Sequence, residues 1–299
     1  MNRRLFLKQS SGAFFFLACS NAPFSKTDTK VRFGLVTDLH FAERCNNGSR
    51  YYDQSKNKLI DAINVFNKSN LDFIIELGDF KDQGIVPQKL HTIAFLKDIE
   101  NTLNQFNGPV YHVLGNHDMD SISKDEFLKH TDNFGEAKSR NYYSFVHGGI
   151  KFIVLDANYN EDGSDYDTGN FDWTYSKIPD DQKKWLQYEL NKEQIPIIVF
   201  VHQLLDYFSS APKNVYIKNA KEIVGMLEKN KNVLGVFQGH HHHGNYSFLN
   251  GIHYYTMKAM IEGSLPDNNS YAIIEIDMNL NIIIDGFCNS EYKFLKYCR

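Results

Sequence analysis

No basic stripe runs through this sequence, no Pro/Gly/Ser-rich linker divides it, no repeat recurs at a fixed period, and only 4 of its 299 residues are cysteine. Each absence excludes something. With 32 Lys and Arg against 36 Asp and Glu and a net charge of −4, nucleic-acid binding through phosphate neutralisation has no support. Lacking a linker and a repeat, the chain reads as one large domain. Low complexity is confined to the histidine run 240–243. The apolar stretch 12–18 is too short to span a bilayer. What is present is core-forming material: 42% of residues are hydrophobic and 14% aromatic.

The N-terminus reads as a targeting segment and is set apart from the fold. Arg3-Arg4-Leu5-Phe6-Leu7-Lys8 is a twin-arginine pattern, so residues 1–18 are expected to be an export signal. Leu17-Ala18-Cys19 resembles a bacterial lipobox, which makes Cys19 a candidate for acylation and the only expected route to a membrane. A plain cleaved signal is the alternative. Residues 19–30 are polar and read as a tether, followed by a domain over 31–299. Removing Arg3, Arg4 and Lys8 leaves 29 basic side chains against 36 acidic, a charge near −7. The expected location is the periplasm or cell envelope. Of the remaining Cys45, Cys288 and Cys298, the nearest pair, Cys288 with Cys298, is the candidate disulfide.

Five short Val/Ile/Phe/Leu-rich runs, at 31–37, 73–77, 110–114, 197–201 and 233–237, are suited to buried parallel strands. Helical patterns lie between them at 54–68, 88–106, 123–134, 180–190 and 219–229. That alternation predicts crossover units and a largely parallel first sheet. The C-terminal runs 252–257, 271–276 and 282–287 read as antiparallel. Two sheets would then face each other with helices outside. Residues 158–179, rich in Asp, Gly, Asn and Tyr, read as a long loop bordering a site.

Each of the five runs is followed at once by polar residues: Asp38-Leu39-His40, Gly78-Asp79, Gly115-Asn116-His117-Asp118, His202 and Gly239-His240-His241-His242. The carboxyl ends of strands are where α/β sheets bind ligands. Hydrolysis of a phosphate ester needs a nucleophile made from water at neutral pH, charge neutralisation on phosphoryl oxygens, and a proton for the leaving oxygen. Two metal ions about 3.5–4 Å apart supply the first two. Asp38 and His40 are two residues apart and would share a face of an extended segment, so they are assigned to one ion. Asp79, after a glycine that lets the chain turn, is the expected bridge. Asn116, His202 and His240 are assigned to the second ion, and His242 returns to the first. His117 is the expected general acid, because an imidazole with a pKa of about 6.5 can donate a proton at neutral pH, with Asp118 as its orienting partner. The alternative for His117 is to hold phosphate. His241 is expected to face away from the site, Asp156 to be structural, and His112 to be core.

These motifs, in this order, resemble the signature of the calcineurin-like metallophosphoesterase superfamily over roughly residues 32–275. The resemblance implies a four-layer α/β/β/α sandwich with two facing mixed sheets. It also implies a centre of two Mn, Fe or Zn ions with the ligand roles above, and attack by a hydroxide bridging them. Mixed Asp, Asn and His ligands suit those metals better than Ca or Mg. A finer resemblance is to the manganese-dependent ADP-ribose/CDP-alcohol diphosphatase subgroup. It is carried by Arg50-Tyr51-Tyr52, Gln238-Gly239-His240, Gly244-Asn245-Tyr246 and Asn250-Gly251-Ile252-His253-Tyr254. The chain departs from it at His40 and Asp118, where that subgroup often has Gln and Glu, and in its export signal. The leading expectation is an exported hydrolase of phosphomono- or phosphodiesters acting on a small phosphorylated substrate. The runner-up is a nucleotide-type diphosphatase, and a non-catalytic scaffold is the reading from another class. Arg50 is a candidate contact for a second phosphate; a surface arginine is the plainer reading.

Overall fold

The structure, a computed structural model, describes residues 29–136 and 139–299. The export signal and Cys19 lie outside those residues. The first strand, β1 (Thr29–Val36), begins two residues before the expected domain boundary, so Thr29 and Lys30 belong to the sheet and not to a tether. Among the described residues no helix is long and apolar enough to cross a membrane.

Two mixed six-stranded sheets make up the middle of the molecule. In the first, β1, β2 (Phe73–Glu76) and β3 (Val110–His112) run parallel, linked by α1 (Ser55–Phe66) and α2 (Lys89–Leu103). Antiparallel to β1 runs β10 (Ser270–Asp277), followed outward by β11 (Ile282–Cys288) and β12 (Lys293–Leu295). The second sheet is built on parallel β5 (Ile150–Val154), β6 (Ile197–Phe200), β7 (Val233–Gln238) and β9 (Ile252–Thr256). Its antiparallel edges are β4 (Tyr143–His147) and β8 (Asn245–Leu249). The run at 252–257, expected to be antiparallel, is parallel to β7. It is β8, a short strand with alternating burial and no strong apolar signal, that turns the chain around first.

The period-two alternation of the strands divides the apolar side chains between layers. Phe33, Leu35, Phe73, Ile75, Phe152, Val154 and Phe200 point inward and fill the space between the sheets. Ile74 and Ile273 face outward onto Leu59, Ile63, Leu96, Ile99 and Phe127 of α1, α2 and α3 (Lys124–His130). Ile153, Val199 and Val236 face outward onto Leu186, Leu190, Ile223 and Leu227 of α4 (Asp180–Lys192) and α5 (Ala220–Lys229). The result is the expected four-layer sandwich. Each such side chain contributes about 1.5–3 kcal/mol on full burial, so the strands are fixed firmly and the loops at their carboxyl ends inherit that rigidity.

Cys45, Cys288 and Cys298 are all exposed free thiols, so Cys288 and Cys298 are not joined. Register gives the reason. Leu295 pairs with Ile282 at the start of β11, while Cys288 ends that strand opposite Ser270. At about 3.3 Å per residue, proximity in sequence becomes separation by the length of the strand.

Candidate metal centre

All five strand-end motifs arrive at one place, and the backbone there is not extended. Asp38, His40, Asp79 and His240 adopt φ values of 53°, 49°, 55° and 64°. Left-handed conformations of this kind cost on the order of 1–3 kcal/mol each in residues other than glycine, and they persist where surrounding contacts over-determine them. Glycines make the crowding possible. Gly78 has φ 100°, and a Cβ on it would lie 2.6 Å from both Gly115 N and His202 Nδ1. A Cβ on Gly239 would lie 2.2 Å from Thr37 Oγ1.

Of four groups of ligand-type atoms among the described residues, two hold the expected ligands, Asp38, His40 and His242 and beside them Asp79, His202 and His240, and His117 joins the other two, with His40 and Asp79 and with Asp82 and Asp120. His40 Nε2 and His242 Nε2 face each other at 3.1 Å. His242 Nε2 is 3.4 Å and His40 Nε2 is 3.7 Å from Asp38 Oδ1. Asp79 Oδ2 lies between the groups, 3.7 Å from His40 Nε2 and 3.2 Å from His202 Nε2. The second oxygen of each carboxylate is already engaged. Asp79 Oδ1 accepts the His117 N–H at 2.7 Å, and Asp38 Oδ2 accepts from Thr37 Oγ1 at 2.7 Å and from the His240 N–H at 3.1 Å.

The far nitrogens of three imidazoles are also engaged. His40 Nδ1 meets Asp82 at 2.9 Å, His242 Nδ1 meets Glu262 at 2.6 Å, and His202 Nδ1 donates to Leu77 O at 2.7 Å. Donation from Nδ1 leaves the Nε2 lone pairs free to ligate. Asp38 Oδ1, Asn116 Oδ1, His202 Nε2 and His240 Nε2 are buried without a hydrogen-bond partner. Orphaned buried acceptors are rare in folded proteins, and these converge where nitrogen and oxygen donors suit a transition-metal cation. The residues present therefore fit metal ions.

The electrostatics agree. Burial pushes the Asp38 carboxyl up, but His242, His40 and His202 hold it well below the usual range. Asp79 is likewise held down against burial by His202, His117 and His40. Burial pushes His40 and His202 down, yet the carboxylates around them raise the metal-free imidazoles to about 9 and about 10. His240, pushed down by burial and by His202 to about 3, stays neutral.

His117 stands beside the ligands with its side chain 31% exposed, its Nδ1 2.9 Å from Asp120 Oδ2 and 3.0 Å from Asp82 Oδ1. Asp118, expected to orient it, does something else. Its buried carboxylate accepts the N–H groups of Gly115 (2.8 Å), Phe80 (3.0 Å) and Asp79 (3.1 Å), bracing the two ligand loops against each other. Asp120 carries a signal that could have been read: His117 opens a 3-10 turn, where i and i+3 eclipse. Asp82 and Glu262 carry none, because only tertiary packing brings them to the imidazoles.

Beyond the ligands opens a cavity of about 690 Å³ lined by Arg50, Asp79, Asn116, His117, Trp173, Asn214 and His240 among others. Arg50 and Trp173 bring the 43–52 and 158–179 loops to it. His241 also lines it, contrary to the expectation that it faces away: the left-handed turn at His240 breaks the strand periodicity on which that expectation rested. Asp156 is structural, paired with Lys124 at 2.7 Å, and His112 is core.

The family described as calcineurin-like phosphoesterase matches residues 31–244. A manganese-dependent ADP-ribose/CDP-alcohol diphosphatase of Arabidopsis thaliana is 27% identical, covering 84% of this chain and 93% of that protein. The serine/threonine-protein phosphatase CPPED1 of Homo sapiens is 24% identical over 71% of this chain and 66% of its own. Among solved structures, a dimetal phosphatase from Danio rerio superposes with a TM-score of 0.75 at 18% identity, covering 91% of this chain and all of its own, a likeness of fold.

Proposed function

From the premise that the chain belongs to the calcineurin-like phosphoesterase family and is a metal-dependent hydrolase of phosphate esters, we propose that its strand-end cluster holds two metal ions. Asp38, His40 and His242 hold one, Asn116, His202 and His240 the other, and Asp79 both. The observation that carries this reading is that Asp79 Oδ2 stands between the two ligand groups, 3.7 Å from His40 Nε2 and 3.2 Å from His202 Nε2, while Asp38 Oδ1, Asn116 Oδ1, His202 Nε2 and His240 Nε2 are buried without a hydrogen-bond partner. When bound, such ions supply a water acidic enough to attack at neutral pH and positive charge against the phosphoryl oxygens.

The residues do the rest. Asp79 is turned by the His117 N–H so that its free oxygen serves both sides. His117 Nδ1–H donates to Asp82 and Asp120, so the doubly protonated ring carries its transferable proton on Nε2. Burial lowers the His117 pKa, but Asp82, Asp79 and Asp120 outweigh it and raise the value well above normal. Lys81 Nζ, donating to His117 O at 2.6 Å, fixes the main chain beneath it. His117 thus faces the cavity charged and oriented, and it passes its proton to the leaving oxygen. Arg50 lines the wall where a second phosphate or the far side of a diester would lie.

The test is to strip the protein with chelator, reload it with Mn and assay nitrophenyl phosphate and bis-nitrophenyl phosphate. Activity should vanish and return; full activity in chelator overturns the reading. A second reading, cleavage of a diphosphate, is favoured by Arg50 in the cavity and by the likeness to the Arabidopsis thaliana ADP-ribose/CDP-alcohol diphosphatase. ADP-ribose and a CDP-alcohol in the same panel decide between the two by kcat/KM. The sequence of residues 1–19 adds the proposal that the enzyme works in the cell envelope, checked by fractionation of wild type against Cys19→Ser.

A further inference from the structure

Between β9 and β10 the chain crosses under the metal centre without joining a sheet, and its carbonyl groups need donors from elsewhere. One side chain supplies four of them. Lys58, on α1 and 0% exposed, donates from Nζ to the carbonyls of Met260 (2.8 Å), Ile261 (3.2 Å), Glu262 (3.0 Å) and Gly263 (2.6 Å). An ammonium has three N–H groups, so four consecutive carbonyls share them as they would share a small cation. The segment so held is tied to the centre at every residue. The Ala259 N–H donates to His242 O, the Met260 N–H to Thr37 O and the Ile261 N–H to Asp38 O, at 3.1, 3.0 and 3.0 Å. Glu262 meets His242 Nδ1 at 2.6 Å, and the Gly263 N–H donates to Ser49 O at 2.8 Å, next to Arg50.

We propose that Lys58 is a positioning residue for one half of the centre: its ammonium clasps residues 260–263 and so sets the Asp38 main chain and the Glu262–His242 pair that present the first ion's ligands. Of Asn116, His202 and His240, the clasp reaches only His240, and only through the His240 N–H on Asp38 Oδ2. Loss of Lys58 therefore weakens the first ion far more than the second. Side chains that orient metal ligands typically govern 10–100-fold in metal affinity, and an effect of that size is expected on the first ion alone.

The inference rests on the two-ion reading, and the experiment separates the two. Mn content after equilibrium dialysis at graded free Mn is measured on wild type and on Lys58→Met, with far-UV circular dichroism reporting the fold. Wild type should hold two ions per chain, and Lys58→Met, measured below its melting temperature, should hold one at Mn concentrations that still fill both wild-type sites. Its kcat should fall while KM changes little. Should Lys58→Met fail to fold, Lys58→Ala refolded with n-propylammonium, the fragment the substitution removes, should regain the first ion, whereas tetramethylammonium should not restore it. A wild type that binds fewer than two ions overturns the two-ion reading and this inference with it. A folded Lys58 variant that fills both sites with wild-type affinity overturns the inference alone, leaving Lys58 a stabiliser of the fold.

Discussion

Two buried histidine–carboxylate clusters among the described residues, one at the strands and one just beyond their ends, differ in whether the charges close on themselves. In the first, His112 on β3 has a carboxylate for each ring nitrogen, Glu100 at 3.0 Å from Nε2 and Glu76 at 3.5 Å from Nδ1. Burial pushes the imidazole down, but Glu100 and Glu76 raise it to about 10, and Glu76 spends its other oxygen on the Gly78 N–H at 2.7 Å. Neither His112 nitrogen makes a hydrogen bond of good geometry, but each has a carboxylate oxygen within 3.5 Å, so the charges pair with one another and no ligand is needed there. In the second, His40 Nε2 and His242 Nε2 face each other, and among the described residues buried His240 Nε2 has neither a hydrogen bond nor an ion pair. A closed ion pair is a structural element; an open one is a binding site. The same residue types give both, and the difference lies in whether the backbone continues as a strand or turns left-handed.

The largest effect that would break this contrast is expected at Asp79, whose carboxylate faces both halves. Asp79→Asn should reduce activity to background and metal content to below one ion per chain. Retention of two ions under stringent dialysis would remove the bridge. Next is His117→Ala, which should lose about 10²–10⁴-fold on alkyl or ribosyl phosphates, far less on nitrophenyl esters, and no metal. An equal loss on both substrate types would assign His117 to holding phosphate. Glu262→Gln should lower affinity for one ion about 10–100-fold with the other unaffected, measured by metal titration. In the closed cluster, His112→Leu should leave metal content and kcat at wild-type values. It strands buried Glu76 and Glu100, so it should cost about 3–5 kcal/mol of stability in denaturant unfolding. The smallest effect is protonic. Metal-free His40 and His202 hold protons up to about 9 and about 10, so loading at pH 7 should release about two protons and affinity should fall as pH falls. Calorimetry in buffers of different ionisation enthalpy measures the count.

Much of this was legible because strand ends are legible. The five apolar runs are each within a few residues of β1, β2, β3, β6 and β7, and their trailing residues are the ones brought together. Even so, Asp38 and His40 share a cluster for a reason other than the one expected: both sit at positive φ, not on an extended segment. The same bend defeated the placement of His241. What the sequence could not display is what depends on elements meeting. Asp82, Glu262 and Lys58 belong to no motif: Asp82 meets His40 from the loop after β2, and Glu262 and Lys58 reach the centre because α1 and the crossing before β10 pack against it. Edge strands β4, β8 and β12 escaped notice because exposure on one side dilutes their apolar pattern.

The most direct test of the central claim is the anomalous scattering of Mn in crystals of the reloaded protein. The account predicts two peaks about 3.5–4 Å apart, both within bonding distance of the Asp79 carboxylate, one beside Asp38, His40 and His242 and the other beside Asn116, His202 and His240. A single peak, or two that do not share Asp79, would contradict it.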